Sequence, residues 1–186
     1  YHVDRVLRKY GDLDSGWQSN SDHDGLFTGL YCASPCFRYK VTADEQAKAN
    51  AKQAVEAMIK LTEVTGREGF TARATRYSTE AEFGTGNREE WHICENNPDC
   101  EWLGETSSDE MTGHYFAYGI YFDLVADKKE KKKIAEVVRK ITDHIIDHNF
   151  HLTDVDGIPT TWANWEPALL NNDDRWYYER GTNSLE

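Results

Sequence analysis

Two short acidic stretches hold the side chains best suited to chemistry. One is Ser21-Asp22-His23-Asp24; the other runs from Glu105 through Ser107, Asp109 and Glu110 to His114 and Tyr115. Carboxylates held close together raise the pKa of one of them, the property that a proton donor to a glycosidic oxygen needs near neutral pH. Asp22, His23 and Asp24 thus place acid–base equipment in three consecutive residues, and Asp109, Glu110 and His114 form a second set. The plainer alternative for both is helix capping, with one carboxylate of the first set as an N-cap and Ser107 with Glu110 as a capping box beside a packed histidine. A different chemistry is open to the same region. His114 and Tyr115, with Arg73, Arg76 or His92 near them, suit β-elimination from a uronate, in which Tyr or His removes the C5 proton and a cation neutralises the carboxylate. Those arginines fit ordinary salt bridges equally well.

Trp91, Trp102, Trp162 and Trp165 fall in segments without a helical period, where flat rings can stack on sugar faces or anchor a core. Cys32 and Cys36 sit four apart on an apolar segment and read as packed thiols. Cys94 and Cys100 bracket a polar loop around Asn97-Pro98 and can form a disulfide in an oxidising compartment, periplasmic or extracellular. Neither pair has the Cys-x-x-Cys knuckle of a zinc site. Asp154-Val155-Asp156-Gly157 lacks the further ligands of a calcium loop and reads as a turn. Only His144 and His148, of the group completed by His151, share helical spacing, so a frayed helix end explains them better than a metal site. The chemistry in view needs neither metal nor cofactor.

Composition narrows the partners. With 39% hydrophobic and 12% aromatic residues the chain is globular rather than disordered. A net charge of −12 leaves no cationic surplus for a phosphate backbone, which argues against nucleic acid. The basic run Lys128 to Lys133 reads as the exposed face of a helix. No apolar run reaches the length of a membrane span. An acidic, aromatic-rich chain suits a carbohydrate.

These residues must be positioned by helices. Residues 105–126 read as a helix opened by Ser107 and Glu110 and apolar on nearly every side, hence surrounded by protein. Residues 23–39 read as a second apolar helix, bent at Pro35. Thr42-Ala43-Asp44-Glu45 is a capping box for an amphipathic helix to about Val64, stopped by Gly66, with Ala47, Ala51, Val55, Met58 and Ile59 in its apolar stripe. Asp127 with Glu130 opens another, striped by Ile134, Val137, Val138, Ile141 and Ile145 and ending near His148. Residues 1–23 are polar and glycine-punctuated, 69–77 extended, and 78–104 a long loop, glycine-rich at its start. Residues 150–162 alternate around Asp156-Gly157 as a hairpin. Trp165, Trp176 and Tyr177 follow in loop. The chain opens at Tyr1 without methionine and stops at Asn183-Ser184-Leu185-Glu186, which reads as another helix start, so residues 1–186 are expected to be one domain that is part of a longer one.

The pattern of apolar helix with acidic mouth, capped amphipathic helix and short extended piece occurs twice, offset by about 83 residues. Stacked in a ring, such hairpins bury the apolar helices inside and leave the amphipathic ones outside. The expected fold is therefore all-α, a partial (α/α) toroid of repeated αα-hairpins with short β-hairpins and long loops at one end. The rest of the ring would come from the same chain or another copy. The segment from Asp24-Gly25-Leu26-Phe27-Thr28-Gly29-Leu30-Tyr31 to Cys36-Phe37-Arg38-Tyr39, followed by Thr42-Ala43-Asp44, resembles the inner-helix segment of six-hairpin (α/α)6-toroid carbohydrate enzymes. It is most similar to that of unsaturated glucuronyl and rhamnogalacturonyl hydrolases, over about 20 residues. The whole chain also looks similar to uncharacterised bacterial proteins of that class. The resemblance implies that Asp24, at the head of the helix, is general acid and base on an unsaturated uronyl residue.

The expectation is a glycoside hydrolase, with Asp24, Asp22, Asp109 and Glu110 catalytic and His23, His114, Tyr115, Trp102, Arg73, His92 and Trp162 contacting substrate. The alternatives are a polysaccharide lyase using His and Tyr, and a non-catalytic glycan-binding helical repeat.

Overall fold

The computed structural model describes residues 3–79 and 88–172. Its helices come as two hairpins. The first is α1 (Asp24–Thr42) with α2 (Glu45–Glu63), the second α3 (Ser108–Leu124) with α4 (Lys128–Asp147). Short sequence signals set their ends. Asp44 caps α2 by accepting from the Gln46 N–H, and Asp127 caps α4 in a full capping box with Glu130. Thr42 is not the cap of α2. It is the last residue of α1, where its hydroxyl donates to the Arg38 carbonyl, and Ala43 turns the chain in the left-handed region at φ 54°. α1 continues through Pro35, which is buried.

α1 and α3 make the most extensive helix contact, and α2 and α4 pack beside them. The buried side of α1 is built of small residues, Gly25, Thr28, Gly29, Cys32, Ala33 and Cys36, so the two backbones approach closely. A Cβ on Gly29 would lie 2.4 Å from the Gly113 carbonyl oxygen, and one on Gly113 would lie 2.5 Å from Leu26 Cα. Cys32 and Cys36 are packed thiols with their sulfurs 3.9 Å apart. Met58, Phe70, Trp102, Met111, Tyr118 and Ile141 fill the core around them.

The all-α reading does not stand. Among the described residues seven strands in three antiparallel sheets accompany five α-helices, so the chain is mixed α/β, and the toroid inferred from the helices alone is corrected accordingly. β1 (Val3–Leu7) pairs with β2 (Gly16–Asn20) where only polar loop was expected. β3 (Ala74–Tyr77), β4 (Trp91–Cys94) and β5 (Asn97–Leu103) form a sheet in the order β3-β5-β4. This sheet replaces most of the expected long loop, and the Cys94–Cys100 disulfide closes its β4–β5 turn. β6 (His151–Thr153) and β7 (Pro159–Asn164) form the expected hairpin, with Gly157 at φ 84° in its turn, before the short α5 (Pro167–Asn172). β4 and β5 leave no clear alternation in the sequence because the central sheet carries charge inside. There the Arg76 guanidinium pairs with the buried Glu101 at 2.8 Å and lies 3.6 Å over the Trp91 ring. The glycine-rich segment 80–87, Trp176, Tyr177 and the cap expected at Asn183 or Ser184 lie outside the described residues.

Among the described residues α3 is not surrounded by protein. It buries Glu110, Met111, Gly113, His114, Ala117, Tyr118 and Tyr121 on one side and exposes Phe116 on the other.

Candidate functional site

The site begins with a capping problem. His23 occupies the N-cap position of α1 and makes no side-chain cap hydrogen bond, so the first N–H groups of the helix need an acceptor. They face α3 because Gly25 has no side chain to stand between. Glu110 of α3, fully buried, supplies the acceptor: its Oε2 accepts from the Gly25 N–H at 2.7 Å and the Leu26 N–H at 3.2 Å. Its Oε1 lies 3.1 Å from His23 Nδ1. The expected capping box between Ser107 and Glu110 is therefore not made. Ser107 is the N-cap residue of α3, but its buried hydroxyl has no hydrogen-bond partner among the described residues. Glu110 serves the neighbouring helix because the α1 donors are shut away from water, where an unmet N–H is most costly.

His23 links this buried carboxylate to the surface. Its Nε2 lies 3.8 Å from Asp22 Oδ1, and the side chains of His23 and Asp22 are 31% and 44% exposed. The hydrogen bond to Glu110 raises the His23 pKa, with the Asp22 charge adding to it. Burial raises the Glu110 pKa, against the pull of His23 and the two N–H groups. Arg73, from the segment before β3, clamps the mouth: it donates from Nε to the Asp22 carbonyl at 3.0 Å, from Nη2 to the Asp22 carboxylate at 3.3 Å, and from Nη1 to the Glu105 carbonyl at 3.3 Å. Glu105 sits at φ 52°, a conformation that few residues other than glycine adopt. Asp154 Oδ2 holds its N–H at 2.9 Å, and its own carboxylate accepts from the Thr161 N–H at 3.0 Å.

Behind the mouth lie Asp24 and His114. Asp24 is buried, with the Thr75 N–H 3.4 Å from its Oδ2, so it ties α1 to β3 instead of facing solvent. His114 is buried too: its Nδ1 pairs with the Tyr118 hydroxyl at 3.0 Å, while Nε2 has no hydrogen-bond partner among the described residues. A Cβ on Gly25 would lie 2.5 Å from Glu110 Oε2 and 2.7 Å from His114 Nε2, so both side chains crowd the space that the glycine leaves. Burial pushes the His114 pKa down to about 3. His144, whose Nε2 accepts from the Thr153 N–H, is pushed down to about 4, chiefly by burial.

A stability prediction follows from the two neutral histidines. A histidine whose pKa is depressed by folding contributes stability in full above its unfolded value, near 6.5, and loses it as pH falls through the folded value. Stability should drop by on the order of 3 kcal/mol between pH 6.5 and 4, partly offset by Glu110 and His23, whose raised pKa values act with the opposite sign. His144→Gln keeps an acceptor for the Thr153 N–H and should flatten the curve. Urea midpoints measured across this pH range test it, and parallel curves for the variant and the original chain would refute it.

The other expected residues fall into two groups. Asp22, His23, Asp24, Arg73, Glu110 and His114 come together at or just behind the mouth. Trp162, on β7 next to Thr161, is half exposed and near the same rim. Asp109 lies exposed in the first turn of α3. Tyr115 turns to α4, where its hydroxyl meets Thr142 at 3.0 Å. Trp102 is a core anchor, its ring 4.5 Å from that of His92, and Trp91 is buried under Arg76. Gly25 and Asp154 carry no signal of their roles at the mouth in the sequence. Asp154 was legible only as turn chemistry, although it also fixes the backbone of Glu105.

Among the described residues no group of three or more His, Cys, Asp and Glu is arranged to hold a metal ion. No protein-family model, curated protein or solved structure matches the chain.

Proposed function

We propose that this chain is a glycoside hydrolase that handles protons at a single locus, Asp22 and His23, and acts on uronic-acid-containing oligosaccharides. The observation that carries the reading is the partly exposed imidazole of His23, held between buried Glu110 and accessible Asp22 at the rim between α1 and α3. A histidine oriented by a buried carboxylate is fit for proton transfer near neutral pH. In this scheme protonated His23 gives its proton to C4 of an unsaturated uronyl residue while Asp22, 3.8 Å from it, takes a proton from the water whose oxygen bonds to C5. The hemiketal so formed opens at its ring oxygen to a C5 ketone, and the resulting C1 hemiacetal releases the leaving alcohol. The resemblance of the α1 segment to unsaturated uronyl hydrolases supports the substrate class. It assigned the proton-transfer role to Asp24; burial favours its neighbours Asp22 and His23 for contact with substrate, with Asp24 in the wall behind them.

One feature favours elimination as a second reading. Arg73 stands beside His23 and could pair with a uronate carboxylate while His23 removes the C5 proton, the leaving oxygen departs and a C4=C5 double bond forms.

A single screen separates the two. On unsaturated uronyl oligosaccharides the hydrolase removes the ultraviolet absorbance of the conjugated double bond; on intact uronate polymers a lyase creates it. Asp22→Asn and His23→Gln should each lower kcat/KM by about 10²–10⁴-fold while the far-ultraviolet circular dichroism is unchanged. Full activity in both variants would rule out this locus. Glycan binding that survives both changes and is lost with Trp162→Ala, without turnover, would favour the non-catalytic alternative.

A further inference from the structure

We propose that the outer face of α1 is a self-association surface, on which a second copy of this chain packs about a two-fold axis with the two α1 helices antiparallel. Leu30, Tyr31, Phe37 and Val41 fall on one side of α1 at helical spacing and are all exposed, Val41 to 83%. α3, packed against α1, adds exposed Phe116. Five large apolar side chains turned to water on one helix pair make a patch of a size that marks an interaction site in a soluble protein.

Area and charge point to a second copy. With Phe27 the six side chains present roughly 600 Å² on one copy, so two copies meeting face to face bury about 1,200 Å² in total, the lower bound of a specific interface. No Asp or Glu occurs between Gly25 and Ala43, in a chain with 33 acidic residues and a net charge of −12. Two such chains can therefore meet on this face with their acids turned elsewhere. α1 is 19 residues, about 28 Å long, with Arg38 and Lys40 near its C-terminal end, Asp22 at the mouth beside its N-terminus and the exposed Asp109 in the first turn of neighbouring α3. Arg38 already pairs with Asp44 at 2.6 Å, so Lys40 is the cation to follow. An antiparallel two-fold arrangement sets the basic end of each α1 by the acidic mouth of the other copy and opposes the two helix dipoles.

Sedimentation velocity on the chain from micromolar to tens of micromolar concentration tests this. A closed dimer is expected. Leu30→Glu and Phe37→Glu should each raise its dissociation constant by about tenfold or more, with circular dichroism unchanged and the melting temperature unchanged at concentrations where the chain is monomeric, because both side chains are exposed. Each variant reads the same contact, so either suffices if the other fails to fold. Lys40→Glu should weaken the dimer at low salt and lose its effect at high salt. Four results would overturn the proposal: a chain that stays monomeric across the range, a dimer indifferent to both glutamates, open-ended assembly in place of a dimer, or a monomer that floats with phosphatidylcholine vesicles.

Discussion

Gly29→Ala should cost about 3 kcal/mol and lower the melting temperature by roughly 6–12 °C. Alanine is the better helix former by about 1 kcal/mol, so without neighbours the change would stabilise α1. The new methyl would instead stand 2.4 Å from the Gly113 carbonyl oxygen, an atom of the α3 backbone that cannot rotate away as a side chain could. The helices must separate, which loosens the buried contacts of Cys32, Cys36 and Tyr118 along the same seam. Gly113→Ala meets Leu26 Cα from the other side and should behave alike. Gly119→Ala is the control, since a Cβ there meets nothing within 4 Å. It should stabilise by about 0.5–1 kcal/mol. Thermal denaturation of the three variants decides the matter, and a neutral Gly29→Ala would mean that α1 and α3 do not cross as described.

Glu110 should be the most costly side chain of the site to lose. Glu110→Ala leaves the N–H groups of Gly25 and Leu26 buried without an acceptor and is expected to destabilise by about 3–5 kcal/mol. Glu110→Gln keeps an acceptor for those N–H groups, so it separates scaffold from chemistry. Under the proposed function it should fold and lose about 10²–10³-fold in kcat/KM. Its pH profile carries the sharper signature. The His23 pKa is raised foremost by its hydrogen bond to Glu110, so the alkaline limb, where His23 gives up its proton, should move to lower pH in the variant, toward the ordinary histidine value. An alkaline limb that stays in place would show that Glu110 does not tune His23.

What could be read from the residues was local. Asp127 with Glu130 gives a capping box on sight, and the stripes of α2 and α4 follow from period alone, because propensity and patterning agree there over five turns. The acidic cluster at Asp22, His23 and Asp24 was recognisable since the three are neighbours in sequence. The strands before residue 24 and between residues 90 and 104 were not recognisable. β4 and β5 interleave Trp91, Cys94 and Trp102 with Asn97, Asp99 and Glu101, and a four-residue strand leaves too few alternations to rise above loop. Roles inside the site were also hidden, because they depend on partners far along the chain. Glu110 looked like the cap of its own helix, and only the tertiary contact shows that it serves α1. Asp24 looked as available as Asp22 by type and spacing, and packing against β3 alone distinguishes them.

The His23–Glu110 hydrogen bond joins residues 87 apart, and Arg73 and Thr161 reach the same mouth from elsewhere in the chain. No single helical hairpin contains both partners of that bond. Chain closure over such distances is slow relative to helix formation, so α1 and α3 can be helical well before the mouth exists. His23 titrates as an ordinary histidine until the hairpins dock and shifts upward once Glu110 arrives. Protonation of His23, followed through its own imidazole resonance because His114 and His144 lose protons as they are buried, is then a clock for the docking step, timed by the group that the chemistry would use.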